Sequence, residues 1–431
     1  MKRLVVWLAA CALLAPAAAW AHATLESESP AYGTELKQAP TAISLHFDQY
    51  TEFPSIELFG STGKAYAAPA VVHGLNVFAR VKGKLPTGAY TVRWHVLSAD
   101  GHVVSGVYTF GVRVKAPPPT EAFGAGGPTT TEHVIRWLYF LCFALLIGSL
   151  AFRLVCLRGL ELPRPVERRL TWLGGIGAVG AIEVGIVAFS LRCEDVLRLP
   201  FSKFIYGDLT PIADGTRFGR AFTTMTLGLA LVAALLFLAW LLERRSPLVA
   251  ALVLSVALLS GLSLSGHDAV DAGSSKTTEL ADWVHFAAAS MWVGGLIALA
   301  VAVWPVAPGL RREAFLRFSR IATVLVGLVL VAGTYLALVR VPHLRDLWTQ
   351  RYGVILSVKI ALVAAAVAWG GVHHFFVRPR LARAGSGVGR SLRGEALVGV
   401  AVLLMAAVLV DSKPPPRPVP SPSTQAVAAK H

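Results

Sequence analysis

Gly88-Ala89-Tyr90-Thr91-Val92-Arg93-Trp94-His95-Val96 sets apolar Tyr90, Val92, Trp94 and Val96 against Thr91, Arg93 and His95. Strict alternation has the period of a strand, whose successive side chains point to opposite faces, so one face here is buried and the other is polar. Ile43, Leu45 and Phe47 repeat the pattern, as do Tyr108, Phe110, Val112 and Val114. Pro30, Gly33, Pro40, Gly60-Ser61-Thr62-Gly63, Gly83, Pro86-Thr87-Gly88 and Asp100-Gly101 fall between the alternating runs, at turn positions. Short strands broken by frequent turns over roughly ninety residues predict a small all-β sandwich over residues 22–114.

Upstream, Lys2 and Arg3 precede an apolar run from Leu4 to Ala18, and Ala19-Trp20-Ala21 completes a small-residue cleavage signal. Residues 1–21 therefore read as a secretory signal peptide that is removed rather than folded. Leu8-Ala9-Ala10-Cys11 resembles a lipoprotein processing site, but the apolar run before it is very short. Cleavage after Ala21 makes His22 the new N-terminus. A terminal histidine carries an amine and an imidazole on one residue, and the two together chelate a metal ion. The alternative is that His22 merely follows the cleavage site.

Downstream, Lys115 to Pro128 is dominated by Pro and Gly, which makes 115–131 a linker. Beyond it lie about eight apolar stretches of membrane-spanning length, near 133–153, 170–191, 218–242, 247–266, 281–305, 319–340, 353–376 and 396–411. The chain is 55% hydrophobic and 15% charged, with a mean hydropathy of +0.60. Those values exclude a soluble protein and predict an all-α polytopic bundle over 132–411, followed by a Pro-rich tail, 412–431, without fixed structure. An exported sandwich requires the first span to enter from outside. Alternation then places Arg153/Arg158/Arg164/Arg168/Arg169, Arg244/Arg245, Arg311/Arg312/Arg317/Arg320 and Arg378/Arg380/Arg383/Arg390/Arg393 in the inner loops. Arginine-rich inner loops are what orientation requires, so the net charge of +15 reflects topology and not a nucleic-acid partner. The location expected is a bacterial inner membrane, with sandwich and tail in the periplasm.

The residues able to do chemistry fall in two groups. In the sandwich, Asp100 and His102 flank Gly101 in a turn after a strand, and with His22 they offer two imidazoles, an amine and a carboxylate. Such a mixed N/O set suits Cu(II), which stands highest among the divalent ions for these donors. Asp-Gly is also an ordinary hairpin turn. In the membrane part, Gly266-His267-Asp268 precedes Asp282-Trp283-Val284-His285 and Met291-Trp292-Val293-Gly294-Gly295. On a helix Asp282, His285, Ala289 and Trp292 share a stripe. His267 and His285 both fall near the outer face. Ionisable groups in spans usually face a bundle interior or a pathway. The bland alternative is that His285 hydrogen-bonds a neighbouring helix while the Gly pair permits close packing. Glu183 and Lys359 are further intramembrane charges, read as a structural ion pair, with an ion-path role as the alternative. His373-His374 read as headgroup-level histidines at the inner end of the seventh span, with receipt of metal on the cytoplasmic side as the alternative. Cys142 reads as packing, and no CxxC or disulfide framework is visible.

His22-Ala23, Leu25, Ser29-Pro30, Gly33, Leu45-His46-Phe47, Gly88 to Trp94, Ser98-Ala99-Asp100-Gly101-His102, Gly106 and Tyr108-Thr109-Phe110 together resemble the periplasmic copper-resistance protein CopC. The resemblance implies a cupredoxin-like sandwich that holds Cu(II) through His22, Asp100 and His102. Two departures stand out. No Met lies between His22 and Ala116, so a thioether Cu(I) site is not expected, and Asp48-Gln49 stand where some members place a Glu. The Asp282–Gly295 stretch, with Arg351-Tyr352-Gly353 and Lys359, resembles CopD, the polytopic partner of CopC. That resemblance implies that His267 and His285 are copper ligands on an import route; Asp282, Trp292, Glu183 and Lys359 are read as supporting residues. The combined expectation is a copper-homeostasis protein, not an enzyme, whose partners are copper, the bilayer and periplasmic copper carriers. No nucleotide-binding motif is present. A histidine-brace oxidase, a membrane haem protein with His267, His285 or His373-His374 as axial ligands, and a copper sensor or scaffold without transport are the alternatives.

Overall fold

The computed structural model describes residues 23, 25–60, 63–98, 103–116, 130–197, 217–264, 276–378, 387–410 and 412. The chain divides into two units, one formed by Met1–Cys142 with Gly175–Trp283 and the other by Phe143–Gly174 with Val284–His431.

The first unit contains the predicted sandwich. Strands β1 (Leu25–Ser29), β3 (Ala42–Phe47), β6 (Asn76–Arg80) and β5 (Val71–His73) form one sheet in that order. Strands β2 (Glu35–Leu36), β8 (Val103–Val112), β7 (Gly88–Ser98) and β4 (Thr51–Gly60) form the other. The alternation seen in sequence becomes the core: Ile43, Leu45, Phe47, Leu58, Val77, Val92, Val96 and Phe110 are fully buried. Trp94 packs edge-to-face on Phe47 with ring centroids 5.4 Å apart. Gly106 lies opposite Trp94 in the β7–β8 ladder, and a Cβ there would sit 2.6 Å from the indole Cζ2. Glycine at 106 is thus the space the tryptophan occupies.

The remainder is helical. Among the described residues seven helices are long and apolar enough to cross a membrane. They are α1 (Thr130–Ala151), α2 (Arg164–Leu197), α3 (Arg217–Leu242), α5 (Lys276–Ile297), α6 (Arg311–Arg340), α8 (Arg351–Val372) and α9 (Gly387–Val410). The fourth expected span is α4 (Ser246–Leu264), whose apolar stretch Ser246–Gly261 is shorter than these; α7 is a single turn, Asp346–Thr349. Several helices extend past their apolar runs, because propensity and packing carry a helix beyond the residues that hydropathy selects. The last begins at Gly387 instead of 396 and so takes in Glu395.

Three helices of the second unit end in π-helical segments: α1 in Phe152–Cys156, α5 in Ala298–Val303 and α8 in His373–Val377. Arginines cap the carbonyls left at the arginine-rich ends, as cations do at helix C-termini. Arg317 Nη1 donates to Arg158 O at 2.6 Å and Arg311 Nε to Trp304 O at 2.7 Å, while Arg153 pairs with Glu167. Where α1 meets α5 the backbones touch: a Cβ on Gly294 would lie 1.8 Å from Ala144 O. The close-packing reading of the Gly pair therefore holds for Gly294.

Candidate metal sites

His22, Asp100 and His102 lie outside the described residues, as do His267 and Asp268. Their described neighbours are informative. Strands β7 and β8 run antiparallel and pair as far as Leu97 with Val103. The backbone N–H of Ala23 donates to Ser98 Oγ at 2.7 Å, and Ala23 is only 2% exposed. Ala23 is thereby tied to the end of β7 by a buried hydrogen bond between residues 75 positions apart. Thr51, which opens β4 across from Ser98, is also buried, and its hydroxyl has no hydrogen-bond partner among the described residues. Asp48 and Gln49 precede this strand, separated from it by Tyr50. Glu52 beside Thr51 lies within electrostatic reach of Arg220 on α3. Burial raises its carboxyl above the ordinary value and the arginine charge opposes the shift.

In the second unit, His285 of α5 donates its Nδ1–H to the Val329 carbonyl of α6 at 2.9 Å. A carbonyl oxygen only accepts, so the proton is fixed on Nδ1 and Nε2 is the lone-pair nitrogen. Metal-binding histidines usually show this arrangement, with the far nitrogen held by a carbonyl or carboxylate. It also satisfies the bland reading of a helix–helix hydrogen bond, so the contact alone does not separate the two. Gly333 of α6 makes room for the ring, since a Cβ there would lie 2.8 Å from Cε1. Lys359 of α8 is within electrostatic reach of the imidazole. Seven residues along α5, Trp292 is 4% exposed and lines a cavity. At the start of α5, Trp283 Nε1 donates to Val256 O of α4 at 2.9 Å in the first unit, adjoining Asp282. Glu183 and Lys359 belong to different units. Glu183 lies near Cys142 of α1, whose thiol also fills the space beside Gly180. Among the described residues no group of three or more His, Cys, Asp or Glu is set to hold a metal ion.

Sequence reasoning missed the most complete polar cluster. His373, expected at headgroup level, is 4% exposed and bonds Glu395 of α9, itself 6% exposed, through Nδ1 at 2.7 Å. Its Nε2 lies 2.8 Å from Ser391 Oγ. The available signal was an acidic residue just before the last apolar run, which a hydropathy window trims away.

Three family models match this chain. Residues 25–113 match the CopC domain, 129–277 the copper resistance protein D-like N-terminal domain, and 312–409 copper resistance protein D. Over 466 aligned positions, covering 100% of this chain and 82% of the relative, it is 28% identical to the copper transport protein CutJ of Bacillus subtilis (strain 168). It is 34% identical over 119 residues to copper resistance protein C of Pseudomonas syringae pv. tomato, covering 25% of this chain and 94% of that one. The crystal structure of CopC from Methylosinus trichosporium OB3b is similar at 30% identity, covering 24% of this chain and 99% of that one, with a TM-score of 0.20.

Proposed function

The chain belongs to the CopC/CopD copper resistance family, and on that premise we propose that its exported sandwich captures Cu(II) and passes copper to the membrane helices for uptake. His22 supplies amine and imidazole, His102 a second imidazole and Asp100 a carboxylate. The observation that carries this reading is the bond from Ala23 N to Ser98 Oγ at 2.7 Å. His22 directly precedes Ala23, Asp100 follows Ser98 by two residues, and His102 directly precedes Val103. At ~3.8 Å per Cα step, each lies within about 8 Å of an anchored neighbour. A buried tether that serves no strand pairing is what a metal-binding terminus needs.

His267 and His285 receive the metal on the outer side. The fixed tautomer of His285 supports this, because it leaves Nε2 as the donor. The proximity of Glu52 to Arg220 supports a handover from the sandwich to the helices of its own unit, since it brings the tether's neighbour strand to the start of α3. Inward movement of a cation needs no nucleotide: a negative-inside potential favours it by about 2.3 kcal/mol per charge per 100 mV.

N-terminal sequencing of the mature protein, combined with Cu(II) EPR, tests the capture site. A terminus at His22 and a nitrogen-rich tetragonal spectrum lost in His22→Ala and His102→Ala are expected. A different terminus, or an unchanged spectrum in both variants, sinks the assignment. Cellular copper that falls in His285→Ala to the level of a deletion strain is the expected sign of uptake through α5.

A further inference from the structure

The cavity that Trp292 lines has a volume of about 260 Å³ and lies wholly within the second unit. That is close to the lower size of small-molecule sites, roughly 300 Å³. Small residues make the room: Ala322 on α6, and Ala366, Gly370 and Gly371 on α8. A Cβ on Gly371 would meet nothing within 4 Å, so this side of α8 faces open space. Trp292, Phe315 and Phe318 form a buried aromatic floor. The rim is half-buried or exposed, with Thr323 and Val326 on α6 and Val367 and Phe375 on α8. Along α6 the lining runs from Ser319 to Val326, about 10 Å of helix. A crevice of this kind between two membrane-spanning helices opens sideways, onto acyl chains.

Five polar side chains reach the cavity: Ser319 and Thr323 of α6, His373 and His374 at the π-helical end of α8, and Glu395 of α9. Most of their hydrogen-bonding capacity is used within the protein. His373 meets Glu395 Oε2 through Nδ1 at 2.7 Å and Ser391 Oγ through Nε2 at 2.8 Å. Arg378 Nη1 donates to His374 Nε2 at 3.4 Å, which puts the ring proton on Nδ1 and directs it to Ser319 Oγ at 3.1 Å. The Thr323 hydroxyl donates to the Ser319 carbonyl at 2.9 Å. Among the described residues this leaves three groups for a ligand. They are the second oxygen of Glu395, which rests against Gly370, the lone pairs of Thr323 Oγ1 and the hydroxyl hydrogen of Ser319. Glu395 is only 6% exposed, so its carboxyl repels phosphate and carboxylate head groups and favours an O–H donor. Apolar walls disfavour a charged ligand of either sign. The groups sit on different walls, α9 and α6, and so suit two oxygen atoms carried on one flat ring.

We propose that this cavity binds the ring of a lipid-soluble hydroquinone, with its aliphatic tail leaving between α6 and α8. One ring hydroxyl donates to Glu395 Oε1, and the other meets Ser319 and Thr323. The ring lies against the aromatic floor, where offset or edge contacts are favourable. The oxidised quinone has no O–H and turns a carbonyl toward Glu395, so the reduced form is preferred. Binding here makes and breaks no covalent bond, needs no metal and stands apart from the copper assignment.

The test uses the full chain in detergent and a decyl-substituted benzohydroquinone kept reduced under anaerobic conditions, with the bound probe measured by equilibrium dialysis. A single saturable site per chain is expected. The dimethyl ether of the same probe keeps the ring and tail but has no O–H, and it should bind at least about tenfold more weakly. Glu395→Gln should weaken the hydroquinone by about the same factor and leave the ether unchanged. Gly371→Leu puts its Cβ into open space and its branches into the cavity, and should abolish saturable binding of both. Equal affinity for hydroquinone and ether in wild type overturns the proposal, as does an unchanged affinity in Gly371→Leu. Displacement of the probe by dilauroyl phosphatidylglycerol at equal concentration also overturns it, because the crevice is then an acyl-chain site. If either variant fails to fold, the comparison of hydroquinone with ether in wild type decides.

Discussion

Ser98→Ala isolates the tether from the copper donors. The variant removes the hydroxyl that accepts from the Ala23 N–H, and Ala23 is 2% exposed. A buried donor left unsatisfied costs about 1–3 kcal/mol. The terminal segment can avoid that cost by lifting away, but copper binding must then restore the docked state and bear the same cost. Cu(II) affinity should therefore fall by roughly 5- to 150-fold, since about 1.4 kcal/mol is tenfold. The sandwich itself should survive, because the β7–β8 ladder continues from Leu97 to Gly88 without Ser98. The assay is a chelator-competition titration of the exported domain beginning at His22, with EPR and thermal unfolding on the same samples. That domain is a fair object, as the Pseudomonas syringae relative spans little more than this part of the chain. An affinity within twofold of wild type, with an unchanged spectrum, would refute the idea that the tether organises the site.

Gly106→Ala provides the opposite control: its Cβ meets Trp94 at 2.6 Å, so unfolding should shift down by about 4–8 °C per kcal/mol of overpacking while Cu(II) affinity stays near wild type. Glu52 makes stability depend on pH. Burial raises its carboxyl above 4.5, the folded state favours the protonated form, and the contribution is complete at low pH and lost as pH rises from 4.5 through the raised value. Glu52→Gln should flatten that part of the unfolding profile, and an identical slope would discard the assignment. Gly333→Ala should push the His285 ring, whose Cε1 is 2.8 Å from the new Cβ, and lower copper uptake without loss of inserted protein. Gly294→Ala should instead reduce protein yield, because its Cβ falls 1.8 Å from a backbone carbonyl that no rotamer can move.

How much of this was readable from residues depends on the range of the interaction. Alternation at Tyr90–Val96 fixes which face is buried within a single strand, so the sandwich core was legible. The pairing of two-residue β2 parallel to β8 was not, since nothing local in Glu35-Leu36 distinguishes it from a turn. Apolar runs located the spans because the bilayer selects for length and hydropathy. They mislocated the last helix boundary, since Arg390, Arg393 and Glu395 lower hydropathy without interrupting the helix. The π-helical ends have no periodic signature of their own. The tether between Ala23 and Ser98 depends on a contact across 75 positions, which only the fold supplies.

His285 and His373 show why partner identity matters more than residue type. Both are helical, both bond through Nδ1 to a neighbouring helix, and both look alike in sequence. At His285 the partner is a neutral carbonyl, which holds one tautomer and reserves Nε2 as a donor for a metal. At His373 the partner is a carboxylate and the far nitrogen meets a hydroxyl that can both give and accept. The first arrangement leaves a lone pair free to meet a cation, and in the second both ring nitrogens already have polar partners. Replacing the Glu395 carboxylate by the amide of Gln should accordingly make His373 behave like His285. A 15N spectrum of the full chain tests this, with Nδ1 protonated and Nε2 bare expected at both positions in Glu395→Gln. A His373 ring protonated on Nε2 in that variant would show that the carboxylate is not what sets the two apart.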